Sequence, residues 1–349
     1  MATPPSKTPA ASAAATDEGA GAPFAGATLP ATLAEAWRHA SAQIGRLDAR
    51  LLVEHVADCS HTALIADPQR PLPVAAAERL LRLIARRQGG EPLAYLTGQT
   101  GFYGLEFAVS PAVLIPRPDT ELLVDLARTL AAGGDLLAQA SSVNASAQPA
   151  DGSLGAALAS VAGPVPSAAA SGAVAREARP LRVLDLGTGS GAIAVALAVH
   201  LPHARVQAVD RSAAALEVAR ANAARHAAPV AFALGDWFSP LADECFDIVV
   251  SNPPYIAAGD VHLQQNGLPF EPPEALSDGG DGLECLRAII AGAPAHLRND
   301  GWLLLEHGYD QAAAVRALLT AAGFVDVASW RDLGGIERVS GGRYPRGRP

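Results

Sequence analysis

The alternation across residues 181–339 constrains this chain most. Short apolar runs at 181–186, 205–209, 229–234, 246–250 and 302–306 are separated by helix-like segments at 190–199, 212–226, 283–297 and 310–321, and two more strand-like runs follow at 324–329 and 336–339. Strands that alternate with helices are joined by crossovers, so they pair in parallel and are covered on both faces. The expected fold class is α/β, a doubly wound, mostly parallel sheet. The last two runs lie close together around Gly334-Gly335, which predicts an antiparallel pair at one edge. Ligands bind at the carboxyl edge of such a sheet, so the loops after its strands are where chemistry is expected.

The first half has a different texture. Residues 1–30 are Ala, Pro, Ser, Gly and Thr with little to bury, and read as a disordered tail. Leu33, Trp37, Ile44, Leu47, Leu51, Leu52 and Val56 then recur at helical spacing. A further helix fits 74–87, with Leu80, Leu81, Leu83 and Ile84 apolar and Arg79, Arg82, Arg86 and Arg87 polar. Residues 31–98 are therefore expected to form a small N-terminal all-helical domain. Residues 99–117 read as a linking hairpin, with a turn at Ser110-Pro111 and a return over Val113-Leu114-Ile115. The main domain is then 118–349. It opens with a helix that Asp119 or Thr120 can cap, with Glu121 in the positive first turn. Inside it, 132–180 is low in complexity and is expected to be an inserted loop, dispensable for activity over 135–175.

Half of the 349 residues are hydrophobic, enough for a sizeable core even though Ala inflates the figure. The formal charge of −9, from 26 basic and 35 acidic residues, argues against stable nucleic-acid binding, which needs a basic stripe. Arg343, Arg346 and Arg348 near the C-terminus read as a solvated tail. Cys59, Cys245 and Cys285 are far apart, with no disulfide or zinc spacing, so no metal is expected and a reducing compartment is. No apolar run is long enough for a membrane span, and the N-terminus does not read as a targeting signal. A cytoplasmic monomer is the expected state.

Two loops carry the chemistry. Asp185-Leu186 leads into Gly187, Thr188, Gly189, Ser190 and Gly191, a glycine-rich turn between a strand and a helix. Such a turn lets backbone approach a ligand at a helix N-terminus. The G-x-G-x-G spacing, Asp185 before it, and Asp210 at the end of the next strand favour S-adenosyl-L-methionine over a dinucleotide. Asp210 can accept from ribose hydroxyls, although an acid there can also simply cap a helix. Asp236 and Trp237 offer an acceptor for an adenine amino group and a flat stacking face.

The second loop, Asn252, Pro253, Pro254 and Tyr255, follows the fourth strand. Asn252 can accept through its side-chain carbonyl, proline stiffens the loop so that Pro253 can present its own carbonyl, and Tyr255 offers a face to a planar group. These residue types suit methylation of an amide or exocyclic amino nitrogen. That nitrogen is a poor nucleophile because its lone pair is delocalised, and two acceptors on its N–H groups aim it at the methyl carbon. A proline-stiffened turn with no chemistry is the bland alternative.

Further runs extend the pattern: Gly101-Phe102-Tyr103-Gly104, Leu114-Ile115-Pro116-Arg117-Pro118-Asp119-Thr120-Glu121, Phe270-Glu271-Pro272, Glu306-His307-Gly308 and Asp332-Leu333-Gly334-Gly335. With the two loops they resemble the peptide chain release factor glutamine methyltransferase family over about residues 31–345, apart from the long low-complexity segment. The resemblance implies a seven-stranded, Rossmann-like methyltransferase domain beside a helical domain that helps hold the release factor. It implies transfer of a methyl group from S-adenosylmethionine to the glutamine of a Gly-Gly-Gln loop. By that resemblance the cofactor residues would be 187–191, Asp210, Trp237 and Asn252, with 252–255 holding the glutamine amide. Arg117 is expected either in an ion pair or at the substrate, and Glu271 and Glu306 can serve simply as local hydrogen-bond partners. His307 stands where an apolar residue is expected. Two other readings compete: a methyltransferase of adenine or guanine amines in nucleic acid, which needs a basic surface and base flipping, and a non-catalytic S-adenosylmethionine-binding scaffold.

Overall fold

The computed structural model describes residues 28–145 and 179–345, without the side chains of 141–145. The expectations for 1–27, for 146–178 and for Arg346 and Arg348 lie outside the described residues. The chain divides into two compact units between Gln88 and Gly89.

The first unit holds α1 (Leu33–Ile44), α2 (Arg46–Ala57), α3 (His61–Ala66) and α4 (Val74–Gln88). Thr32 caps α1 by accepting from Glu35 N at 3.3 Å, and Glu35 reaches back to Ala31 N at 2.8 Å, close to a capping box. Gly45, at φ 82°, separates α1 from α2. The buried faces carry Leu33, Ala36 and Ala40 on α1 and Ala49, Leu52 and Val53 on α2. Leu47, expected in the apolar stripe, is instead 62% exposed. The stripe runs through small alanines, which suit closely packed helices, and large side chains alone misplace it.

The second unit begins earlier than the expected boundary at 98, with α5 (Leu93–Thr97) already part of it. The hairpin follows as β1 (Gln99–Phe102) and β2 (Leu105–Ala108). Its turn is Tyr103-Gly104 rather than the expected Ser110-Pro111, and residues 113–115 form no strand. Both turn residues have positive φ, 51° and 72°, the geometry a two-residue hairpin needs. Tyr103 holds this unfavourable conformation because Glu121 accepts from its backbone N–H at 2.7 Å. A 3-10 turn at Pro118–Thr120 leads to α6 (Glu121–Ala131). Neither Asp119 nor Thr120 caps α6 through its side chain, in contrast to expectation.

Next come α7 (Leu136–Ala145), β3 (Arg182–Leu186), α8 (Ala192–His200), β4 (Arg205–Asp210), α9 (Ala213–Arg225), β5 (Val230–Leu234) and β6 (Phe246–Ser251). Two 3-10 turns, Val261–Gln264 and Leu268–Phe270, precede α10 (Pro273–Leu276), α11 (Glu284–His296), β7 (Leu297–Glu306), α12 (Ala312–Ala321), β8 (Val325–Arg331) and β9 (Glu337–Arg343). Seven strands form one sheet in the order β5-β4-β3-β6-β7-β9-β8. The first five run parallel, and β9 inserts antiparallel between β7 and β8. The expected antiparallel edge is present.

Each strand alternates between two cores. Val183, Val206, Ile248 and Leu304 face one cluster with α6, α7 and α8, whereas Leu184, Val249, Leu303 and Leu305 face another with α11 and α12. α7 occupies the start of the segment expected to be a structureless insert. Its Leu136 is 1% exposed, and the Leu136 carbonyl accepts from Trp330 Nε1 at 3.0 Å. The low complexity of 132–180 hid one anchored apolar residue. Deleting 135–175 is therefore expected to destabilise the sheet edge rather than pass unnoticed. Leu136→Ala should cost about 2–5 kcal/mol in denaturant unfolding; a loss below about 0.5 kcal/mol, the level of a surface change, would show that α7 is not anchored.

Candidate active site

The chain leaves β3 on one side to form β4 and later returns to the other side of β3 as β6, so a crevice opens at the carboxyl ends of β3 and β6. In the sheet register Leu186 lies opposite Ser251. Ser251 Oγ, fully buried, donates to the Leu186 carbonyl at 2.7 Å. The two loops singled out in the sequence thus start side by side.

The first loop is built by its own backbone. Gly187 N and Thr188 N both donate to the Val209 carbonyl, at 2.9 and 3.0 Å. Gly187 has φ 70°, and a Cβ there would lie 3.4 Å from the Trp237 ring. Gly191, at φ 81°, faces Ala219, whose Cβ would be 3.1 Å from an added Cβ. Thr188 donates its hydroxyl to Asp185 Oδ2 at 2.6 Å, and the Ser190 carbonyl accepts from Asn222 Nδ2 at 2.9 Å. Burial, the largest cause, raises the Asp185 carboxyl to about 7, and its Oδ1 has no hydrogen-bond partner. Asp210 Oδ2 accepts from Gly189 N and Oδ1 from Ser212 N, both at 2.8 Å. The cap of α9 is Ser212, so Asp210 is not spent on that role. Burial also raises Asp210.

A cavity of about 570 Å³ opens above these loops, lined among others by Gly187, Gly189, Asp210, Asp236, Trp237 and Asn252. That size suits a nucleoside-like ligand. Trp237 adopts φ 45°, uncommon for a bulky residue, with its ring against Gly187. Thr188, Ser190 and Gly191 do not line the cavity; they shape the loop that does. Cys285 and the segment Ala112–Leu114 contribute to the wall without having been singled out in the sequence for this role.

In the second loop, Asn252 Nδ2 donates to Thr120 Oγ1 at 3.1 Å. Pro253 is buried, and Pro254 lines the cavity. Tyr255 does not line it: its ring packs against the core of α11 and α12, and its hydroxyl donates to Glu306 Oε1 at 3.3 Å. Glu306, at the end of β7, is 1% exposed, and burial raises its carboxyl to about 7. Arg117 forms the expected ion pair, with Glu271, which also accepts from Ile115 N at 3.0 Å. Buried His307 has a lowered pKa, chiefly from desolvation, and meets Ser340 Oγ at 2.7 Å and the Gly308 carbonyl at 2.8 Å. Asn222 was missed altogether. It is fully buried and bonds both backbone groups of Ala108 as well as Ser190, tying β2 to the glycine loop.

Residues 174–281 match the Methyltransferase small domain, and residues 34–98 match the PrmC N-terminal domain. A release factor glutamine methyltransferase of Burkholderia pseudomallei is 47% identical over 323 residues, 90% of this chain and 97% of that one. One from Xylella fastidiosa is 45% identical over 88% and 96% of the two chains, and one from Pseudomonas aeruginosa 42% identical over 86% and 92%. The chain belongs to the release factor glutamine methyltransferase family. It is an S-adenosylmethionine-dependent methyltransferase. The site fits that cofactor: the Asp210 and Asp236 carboxylates, the Trp237 ring and the glycine turn converge on one cavity.

The Asp185 pKa has a testable consequence for the ligand-free protein. Because the folded value is raised from about 3.9 to about 7, the group's stabilising contribution is full below the unfolded value and is lost as pH rises through the folded one. The melting temperature of the parent should fall relative to Asp185→Asn between pH 5 and 8. A difference that does not change with pH contradicts the burial of a titrating carboxyl here.

Proposed function

We propose that this protein methylates the side-chain amide nitrogen of the glutamine in the Gly-Gly-Gln loop of peptide chain release factors. The observation that carries the reading is the state of Asn252. One Nδ2 N–H is given to Thr120, and the carbonyl Oδ1 remains as an acceptor for a ligand at the cavity. The names of the relatives support the same substrate.

In this reading Asn252 Oδ1 and the Pro253 carbonyl each accept one N–H of the glutamine amide. Held in that plane, the nitrogen directs its lone pair at the methyl carbon, and positioning supplies much of the rate. S-adenosylmethionine supplies an electrophilic methyl group on a sulfonium. Asp210, Asp236 and Trp237 hold the nucleoside end, and the backbone of Gly187 and Gly189 allows close approach. Once methylated, the amide nitrogen would be strongly acidic and would give its proton to water without a dedicated base in this chain. Tyr255 acts from beneath, fixing the loop through Glu306 rather than stacking on substrate. The charge of −9 supports a protein substrate over nucleic acid, and the dispersed cysteines support a cytoplasmic setting.

The test is transfer of labelled methyl from S-adenosylmethionine to purified release factor and to its Gln→Ala version in the Gly-Gly-Gln loop. Label is expected on the first and not on the second. Equal label on both, or label confined to nucleic acid and removed by nuclease, would overturn the proposal.

A further inference from the structure

Three large apolar side chains are left in solvent at one edge of the sheet. Tyr309 is 63% exposed, Ile336 is 40% exposed, and Leu333 is fully exposed. Scattered exposed apolar residues are ordinary. A group of them on braced backbone, at the edge where ligands bind, has the character of an interaction surface. We infer that Tyr309, Leu333 and Ile336 form the surface on which the release factor rests the main chain flanking its target glutamine. This rests on the glutamine reading above and names the surface its protein substrate covers.

Two sets of contacts place these residues beside the loop of Asn252 to Tyr255. Tyr309 lies between Gly308 and Gln311. Gly308 N donates to Gln311 Oε1 at 2.8 Å, and Gln311 Nε2 donates to the Tyr255 carbonyl at 3.0 Å. On the other side of Tyr309, Glu306 accepts from the Tyr255 hydroxyl at 3.3 Å. The segment that carries Tyr309 is therefore bonded to Tyr255 at both ends. Leu333 and Ile336 stand on the turn between β8 and β9. β7 and β8 both run antiparallel to β9, so this turn leaves the sheet at the same edge as Glu306. His307 N donates to the Arg338 carbonyl at 2.9 Å. Arg338 pairs with Asp332 at 3.3 Å and with Asp119 at 3.5 Å. Thr120, next to Asp119, accepts from Asn252 Nδ2 at 3.1 Å.

The turn is built to present its tip. Asp332 Oδ1 accepts from Ile336 N at 2.9 Å, and the Ile336 carbonyl accepts from Asp332 N at 2.9 Å. Gly335, at φ 78°, donates its N–H to the Asp332 carbonyl at 3.0 Å. Backbone fixed in advance loses little freedom when a partner binds. The occupant follows from the reaction. An amide held at Asn252 is on a short side chain, so it brings the main chain of its own protein over this edge. The two residues before the glutamine are glycines, with no side chain to hold their backbone away from a flat ring. Tyr309 offers that ring. Leu333 and Ile336 then meet the apolar side chains beyond the glycines. Arg338 is shared between two carboxylates and Asp310 follows Tyr309, so this edge suits a peptide better than a phosphate backbone.

The experiment measures kcat and KM for release factor in the parent and in Tyr309→Ala, Tyr309→Phe and Leu333→Ser, with S-adenosylmethionine affinity and melting temperature alongside. Both changed side chains are exposed, so folding and cofactor affinity should stay parental. Tyr309→Ala and Leu333→Ser should each raise KM by about fivefold or more, as for truncation of an interface residue that matters, and leave kcat within about twofold, as for lost uniform binding. Tyr309→Phe keeps the ring and should recover most of the loss. A parental KM in either the Ala or the Ser variant overturns the surface, and so does a fall in kcat with KM unchanged. A parent that binds S-adenosylmethionine yet methylates no release factor overturns the functional reading itself, and the docking surface with it.

Discussion

The hydrogen bond from Ser251 to the Leu186 carbonyl is the point on which the rest of the site depends. It joins the last residues of two neighbouring parallel strands, in a sheet register that puts Leu186 opposite Ser251. One residue after Leu186 the glycine loop begins, and one residue after Ser251 comes Asn252. Each loop alone is short and stiff, but neither can bring a methyl donor to an acceptor without the other. The parallel pairing of β3 and β6 supplies that juxtaposition, and both faces of the pair are buried, so a slip in register would expose apolar residues from two cores. Binding geometry here is inherited from packing.

A buried carboxyl lies beneath each loop. Asp185 holds the glycine turn through Thr188, and Glu306 accepts from Tyr255 at the end of the asparagine loop. Both are raised to about 7, and each keeps one oxygen without an aligned partner. Burying such groups costs stability, a pattern expected where a fold gives up stability for function. Asn222 and Glu271 do the opposite work at low risk. They satisfy backbone groups of the hairpin and of residues 115–117, so the segment forming one cavity wall is tied to the sheet domain.

The sequence was legible where the physics is local. Every strand of the large sheet overlaps an apolar run, with boundaries shifted by one or two residues except at β7, which starts five residues before the expected run, and β9, which ends four residues after it. The glycine loop and the asparagine loop were readable because their residue types are unusual and sit at strand ends. What was not legible depended on distant partners. The turn at Tyr103-Gly104 needs a non-glycine residue at positive φ, held by Glu121, so nothing within the hairpin itself marked it. Leu136 sits in a stretch of small residues and matters only because Trp330, far along the chain, bonds its carbonyl. Tyr255 looked like a stacking face because its neighbours were chemical. Its hydroxyl partner, Glu306, lies fifty-one positions away, a contact the loop alone does not announce.

The proposed function makes Asn252 the residue that meets the substrate, and the most direct measurement is made on Asn252→Ala: single-turnover methyl transfer to release factor together with S-adenosylmethionine affinity. Cofactor affinity should be largely kept while the transfer rate falls by about 10²-fold or more, as for loss of one preorganised hydrogen-bonding group at a reacting centre. A variant that transfers methyl at the parental rate, or one whose loss of activity is matched by loss of cofactor binding, would contradict the assignment of Asn252 as the group that holds the acceptor nitrogen.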